Sequence, residues 1–132
     1  MRISLETDYA VRIVWCLANS NERLSASKIA KNTRVTEKFC LKILRKLVAN
    51  GIVKSFKGIG GGYELNKKPE EITLKQVIEV IEGPIVISRC LADDYNCDHQ
   101  SDCTCYFHNV FYEVSQQMAQ KFDSVNFSPK KQ

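Results

Sequence analysis

The residues that most visibly offer chemistry are four cysteines. Cys90, Cys97, Cys103 and Cys105 fall within sixteen residues, in a polar stretch that also holds Asp93, Asp94, Asp98, His99 and Asp102. No apolar periodicity runs through this stretch to make them core residues. Thiolates at such density are soft ligands for an iron–sulfur cluster or for zinc. The gaps of six, five and one residues do not match the paired CxxC knuckles of a structural zinc site, so zinc ranks behind a cluster. A disulfide or thiol redox switch is the third reading, and merely exposed thiols the last. Cys16 and Cys40 differ: they fall on the apolar faces of helical segments, where cysteine packs as a small core residue. No second constellation of acid, base and nucleophile exists, because both histidines, His99 and His108, lie in or beside the loop. An enzyme is therefore not expected.

The elements around these thiols point to DNA. Cut before Pro69, the chain splits into residues 1–68, with fourteen Lys/Arg against five Asp/Glu, net +9, and residues 69–132, with five against ten, net −5, matching the overall +4. The basic half is where a polyanion would sit. Within it, Ala10, Val11, Ile13, Val14, Leu17 and Ala18 recur at helical intervals and predict a first helix over 7–19, capped by Thr7 or Asp8. A short second helix opens at Leu24-Ser25-Ala26-Ser27, and Asn32-Thr33-Arg34-Val35 reads as a turn. Thr36 is the natural N-cap of a third helix. That helix carries Phe39, Cys40, Ile43, Leu44, Leu47 and Val48 on one side, carries Lys38, Lys42, Arg45 and Lys46 largely on another, and ends at Asn50-Gly51. Two short helices, a tight turn and a basic second helix form a helix-turn-helix, whose second helix enters the major groove.

Residues 52–56 and 63–65 then read as two strands joined by Lys57-Gly58-Ile59-Gly60-Gly61-Gly62, a wing whose glycines permit close approach to a sugar-phosphate backbone. Glycine-rich loops also cradle nucleotides, but those lead from a strand into a helix, and this one leads into Tyr63-Glu64-Leu65. Ile72-Thr73-Leu74 starts a fourth helix closed by Gly83-Pro84. A long helix with a stripe of Phe107, Val110, Phe111, Val114, Met118, Phe122 and Val125 follows the cysteine loop. So long a stripe calls for a symmetric partner more than for folding back on helices one and four, and a homodimer is expected.

The expected organisation is mainly α with a small β-wing: a winged helix-turn-helix over 1–83, a cysteine-rich loop over 84–106, a dimerisation helix over 105–127 and a disordered tail over 128–132. The N-terminus lacks a signal peptide pattern and no stretch suits a membrane span, so the cytoplasm is the expected compartment.

Met1-Arg2-Ile3 with Asp8-Tyr9-Ala10, the run Leu47-Val48-Ala49-Asn50-Gly51-Ile52-Val53, the glycine wing ending Tyr63-Glu64-Leu65 and the cysteine loop before a long helix together resemble the Rrf-two family of bacterial winged-helix regulators. The loop is similar to that of its cluster-sensing, IscR-, NsrR- and RirA-like members. The resemblance implies a homodimeric DNA-binding transcription regulator, a repressor in the first instance, that senses iron, redox or nitric oxide status through a 2Fe–2S or 4Fe–4S cluster. Zinc or a thiol–disulfide switch is the alternative. It also implies that Cys90, Cys97 and one of Cys103 or Cys105 hold the cluster. Cys103 keeps the family's second gap, whereas Cys105 keeps the family's distance to the aromatic helix position at Phe111. In members the fourth ligand varies between a histidine just after the third cysteine, here His108, and an acidic residue from the partner subunit, here Asp8, and the spare one of Cys103 and Cys105 is a third candidate that would make the site all-thiolate; helix capping competes for Asp8 and simple exposure for His108. Thr36, Glu37, Lys38 and Lys42 would face the major groove of a palindromic operator, with Ser27, Lys28 and Arg34 on phosphates and Lys57 and Gly60 at the wing. Leu41 stands where IscR carries a base-discriminating glutamate, so operator preference does not transfer.

Overall fold

The structure, a computed structural model, describes residues 1–97 and 105–129. It is mainly helical, with one two-stranded sheet. The first helix, α1 (Leu5–Ala18), starts earlier than its sequence suggested. Ser4 is its N-cap, its hydroxyl accepting from the Thr7 N–H at 3.1 Å, so neither Thr7 nor Asp8 caps it. Thr7 is used elsewhere. Its hydroxyl donates to Glu82 Oε1 at 2.6 Å, and the Ser4 N–H donates to the same oxygen at 3.0 Å. The Ser4 side chain first, then the Thr7 hydroxyl and the Ser4 N–H, hold the Glu82 carboxyl below its usual range.

Three helices gather around α1. Ala10, Ile13, Val14 and Leu17 are buried along one side of it. They meet α2 (Ala26–Thr33), α3 (Glu37–Ala49) and α4 (Leu74–Glu82), which supply Ile29, Ile43, Leu44, Leu47 and Val77 to the same core. The core also takes Cys40, as the packing role predicted for it requires. The helix α2 runs two residues beyond its expected end, because the Thr33 hydroxyl donates to the Ile29 carbonyl at 2.7 Å. The connection shrinks to Arg34 and Val35. Strands β1 (Val53–Phe56) and β2 (Gly62–Leu65) pair antiparallel in the register Val53↔Leu65. An isolated bridge between Leu24 and Tyr63 ties that hairpin to the entry of α2. Thr73 and Gln76 form a reciprocal capping box at the start of α4, as Ile72-Thr73-Leu74 suggested.

The last helix, α5 (Tyr106–Asp123), is shorter than the span 105–127 expected from its stripe. Val125 is not helical. The chain turns back after Asp123, the Leu74 N–H donating to the Val125 carbonyl at 2.8 Å, and Phe127 is buried in the core beside Trp15, with ring centroids 6.4 Å apart. Burying one aromatic ring offsets the loss of the last helical turn, by roughly 1.5–3 kcal/mol. Of the tail expected to be disordered, Ser128 donates its N–H to Asn126 Oδ1 at 2.9 Å, and residues 130–132 lie outside the described residues. The stripe on α5 divides in two. Met118 and Phe122 face a groove with Ile78, Ile85 and Ile87, while Phe107, Phe111 and Val114 stay exposed. Among the described residues no helix is long and apolar enough to cross a membrane.

A carboxyl held below its ordinary range stabilises the fold above that range and ceases to do so as it becomes protonated. Glu82→Gln should therefore lower the denaturation midpoint at neutral pH. The difference from wild type should close as pH falls below the ordinary value of 4.5. A gap that persists unchanged into acid would show that the Ser4–Thr7–Glu82 latch does not depend on charge.

Candidate DNA-binding surface and thiol loop

Burial decides what the helix-turn-helix presents. The Val35 side chain is sunk in the core and its N–H donates to the Ala30 carbonyl at 3.1 Å, which fixes the turn. Arg34 takes φ of 58° and its side chain is exposed. Thr36 caps α3, its hydroxyl accepting from the Phe39 N–H at 3.3 Å. Cys40, Ile43, Leu44 and Leu47 are fully buried. At 100° per residue their burial turns Lys38 and Lys42 outward, while Thr36 and Glu37 are exposed because they stand at the open N-terminal end of the helix. Phe39 is half-buried and meets Tyr9 edge-on, with centroids 5.6 Å apart. Ser27 and Lys28, on the first turn of α2, are exposed as well, although Lys28 pairs with Glu22 at 3.3 Å.

Two contacts on this surface join residues too far apart in sequence for periodicity to reveal. Glu6, in the first turn of α1, accepts from Lys46 Nζ at 2.7 Å and lies 3.8 Å from Lys42 Nζ. Arg23 lays its guanidinium 3.4 Å from the centre of the Phe56 ring and reaches Glu64 at 3.4 Å, which braces the wing against the loop before α2.

The four consecutive-looking glycines of the wing do different work. Gly58 and Gly60 have φ of 82° and 76°, and a Cβ on either would meet nothing within 4 Å. They set the turn of the tip, where Lys57, Ile59 and Gly60 are exposed. Gly61 and Gly62 are needed for packing instead. A Cβ on Gly61 would stand 2.4 Å from the Phe56 carbonyl oxygen, and one on Gly62 would stand 2.7 Å from that of Leu24.

The thiol loop hangs between α4 and α5. Gly83 ends α4 with φ of 79°, and the Ile87 N–H donates at 3.0 Å to Ser115 Oγ, the buried hydroxyl of α5. Ser88 then leads into a 3-10 turn over Arg89–Leu91 that carries Cys90, whose Sγ lies 3.2 Å from Ser88 Oγ. Cys97 is exposed, Cys105 is half-buried at the N-cap of α5, and His108 is half-buried in the following turn. Cys103 lies outside the described residues. Asp8 is half-exposed and paired with Arg12 at 2.7 Å. Among the described residues no three of His, Cys, Asp and Glu come together as a metal site. The donor chemistry of the loop, thiols with imidazole and carboxylate nearby in sequence, suits a thiolate-bound iron or zinc centre. The two core thiols do not share that character: burial pushes Cys40 up to about 11, with smaller effects from Cys16 and Glu37, and burial raises Cys16 despite a hydrogen bond from Asn32.

A family model described as an iron-dependent transcriptional regulator, Rrf2 or Rrf-two, matches residues 3–129. The chain belongs to the Rrf2 family. It is 33% identical to the HTH-type regulator CymR of Bacillus subtilis (strain 168) over 96 residues, covering 71% of this chain and 70% of that one. It is 31% identical to the regulator NsrR of Bacillus licheniformis over 98 residues, covering 73% and 68%. The solved structure of the B. subtilis CymR, titled as a global cysteine regulator, superposes with a TM-score of 0.78 at 25% identity, covering 98% of this chain and 95% of that one. The fold of IscR from T. potens matches with a TM-score of 0.76, covering 98% and 85%, at 24% identity. This Rrf2 protein is thus a winged-helix, DNA-binding transcription regulator and not an enzyme.

The wing geometry makes the glycines unequal on substitution. Gly60→Ala, strained by its positive φ but unobstructed, should cost about 1–2 kcal/mol in denaturant unfolding. Gly62→Ala meets both the strain and the Leu24 carbonyl, so its loss should be clearly larger. Equal losses would mean that the wing is not anchored at Leu24.

Proposed function

We propose that this Rrf2 regulator works in the cytoplasm as a homodimer on a palindromic double-stranded operator, repressing or activating according to an iron–sulfur cluster held by its thiol loop. The observation that carries this reading is the Cys90–Cys105 segment of the sequence, four thiols within sixteen residues, entered from a strap that Ile87 bonds to α5 at Ser115. The iron dependence in the family's description supports it. Cys90, Cys97 and one of Cys103 or Cys105 are the cluster ligands, and the partner's Asp8 or His108 completes the set. Asp8 must give up Arg12 to do so. A cluster held there would supply reactivity toward oxidants and nitric oxide and would offset part of the thiolates' charge.

Phe107, Phe111 and Val114 are the dimer contact, since an apolar face of this size is otherwise left in water. Thr36, Glu37, Lys38 and Lys42 read the major groove, Ser27, Lys28 and Arg34 grip phosphates, and Lys57 with Gly60 bring the wing to the backbone. The two recognition helices would then stand about one DNA turn apart, roughly 34–36 Å, and the loop's state biases that spacing as a population shift. A second reading keeps the DNA surface and replaces the cluster with a thiol–disulfide switch or zinc. The exposed Cys97 and the likeness to a cysteine regulator favour it.

Purification without oxygen from iron-replete cells separates these readings. A coloured protein with iron and acid-labile sulfide is expected; a colourless, iron-free one would sink the cluster, and bound zinc or a pair of oxidisable thiols would identify its replacement. For the DNA surface, Lys57→Ala should weaken binding to unrelated duplexes alike and lower the salt slope by about one. An unchanged slope would remove the wing from the interface.

A further inference from the structure

We infer that Glu6 sets how much of the recognition helix's positive charge is available to DNA, holding Lys46 out of the interface and sharing Lys42 with it. The inference rests on the winged-helix reading of DNA binding and adds a residue to it. Lys42 and Lys46 lie one turn apart on α3, so they share a face. Glu6 faces both: Lys46 at 2.7 Å, with 39% of its side chain exposed, and Lys42 at 3.8 Å, with 57% exposed. The shorter, more buried pair is the anchor. The longer pair, whose lysine also lies 5.4 Å from the Phe39 ring centre, is the one that the negatively charged major groove it faces can compete for.

Glu6 is itself fixed. Its side chain is only 22% exposed and it occupies the first turn of α1, where the helix dipole favours an anion. The same turn is latched to α4 through Ser4, Thr7 and Glu82. The carboxylate therefore stays at the edge of the recognition surface when DNA arrives. It offsets part of the attraction of Lys42 for the groove and adds repulsion of its own. An acidic residue in this position makes the regulator a weaker general DNA binder than the fourteen Lys/Arg of its basic half imply. Non-specific affinity is thereby held down, while base contacts from Thr36, Glu37 and Lys38 are untouched.

The test uses full-length protein and a short mixed-sequence duplex, with binding measured by fluorescence anisotropy across a salt series. Glu6→Gln should bind roughly two- to fivefold tighter at about 50 mM salt and steepen the salt slope by up to about one. A variant that melts cooperatively yet binds equally or more weakly, with an unchanged slope, would make Glu6 a structural clamp only and overturn the proposal. Lys42→Ala gives an independent arm should Glu6→Gln fold poorly. In the wild-type background it should lower the slope by clearly less than one, and a full unit of loss would overturn the proposal. In the Glu6→Gln background the same change should remove the gained steepness. Wild-type protein that binds no duplex would instead refute the DNA reading on which the inference stands.

Discussion

Everything on the DNA side of this protein depends on the burial of one helical face of α3 against α1. Cys40, Ile43, Leu44 and Leu47 have no exposed surface, and α1 offers Ala10, Ile13 and Val14 in return. A close-packed interior does not allow a helix to rotate about its axis without opening voids. The outward direction of Lys38 and Lys42 is thus a consequence of core packing rather than a property of those residues. The wing depends on the same core at one remove, because Ile52 and Val53 are buried directly after α3 and aim the hairpin.

The wing illustrates how little of a glycine-rich motif concerns flexibility. Two of its glycines allow left-handed backbone at the tip, and two admit a carbonyl where a methyl group would collide. The Leu24–Tyr63 bridge and the stack of Arg23 on Phe56 then hold the hairpin against the helix-turn-helix. A wing fixed in this way can present Lys57 in a constant relation to α3.

A contiguous series of hydrogen bonds and ion pairs joins the start of the thiol loop to α3. The strap before Cys90 is bonded to α5 at Ser115, and α4, which leads into it, is bonded through Glu82 to the first turn of α1. That turn carries Glu6, which touches α3 through Lys46. The return of residues 124–127 onto α1 and α4 ties the far end of α5 to the same body.

The local signals were legible in the sequence where one residue's neighbours along the chain are also its neighbours in space. The periodicity of α1 and α3, the Thr36 cap, the wing glycines, the helix start at Thr73 and the core character of Cys40 all belong to that class. The start of α1 was misread because Ser, Thr and Asp each cap well, and only the demand of Glu82 for the Thr7 hydroxyl decides among them. The end of α5 was misread because Val125 continues the stripe, whereas the gain from burying Phe127 against Trp15 exists only once α1 and α4 have assembled. By itself the sequence determined a basic winged helix followed by a thiol-rich loop and an amphipathic helix, since charge, turn residues and periodicity are properties of short segments. Tertiary structure alone decided that Glu6 meets Lys42 and Lys46, that Arg23 braces Phe56, and that the α5 stripe is half covered. Those contacts join residues tens of positions apart, and their energies arise only when the core has brought them within a few ångströms.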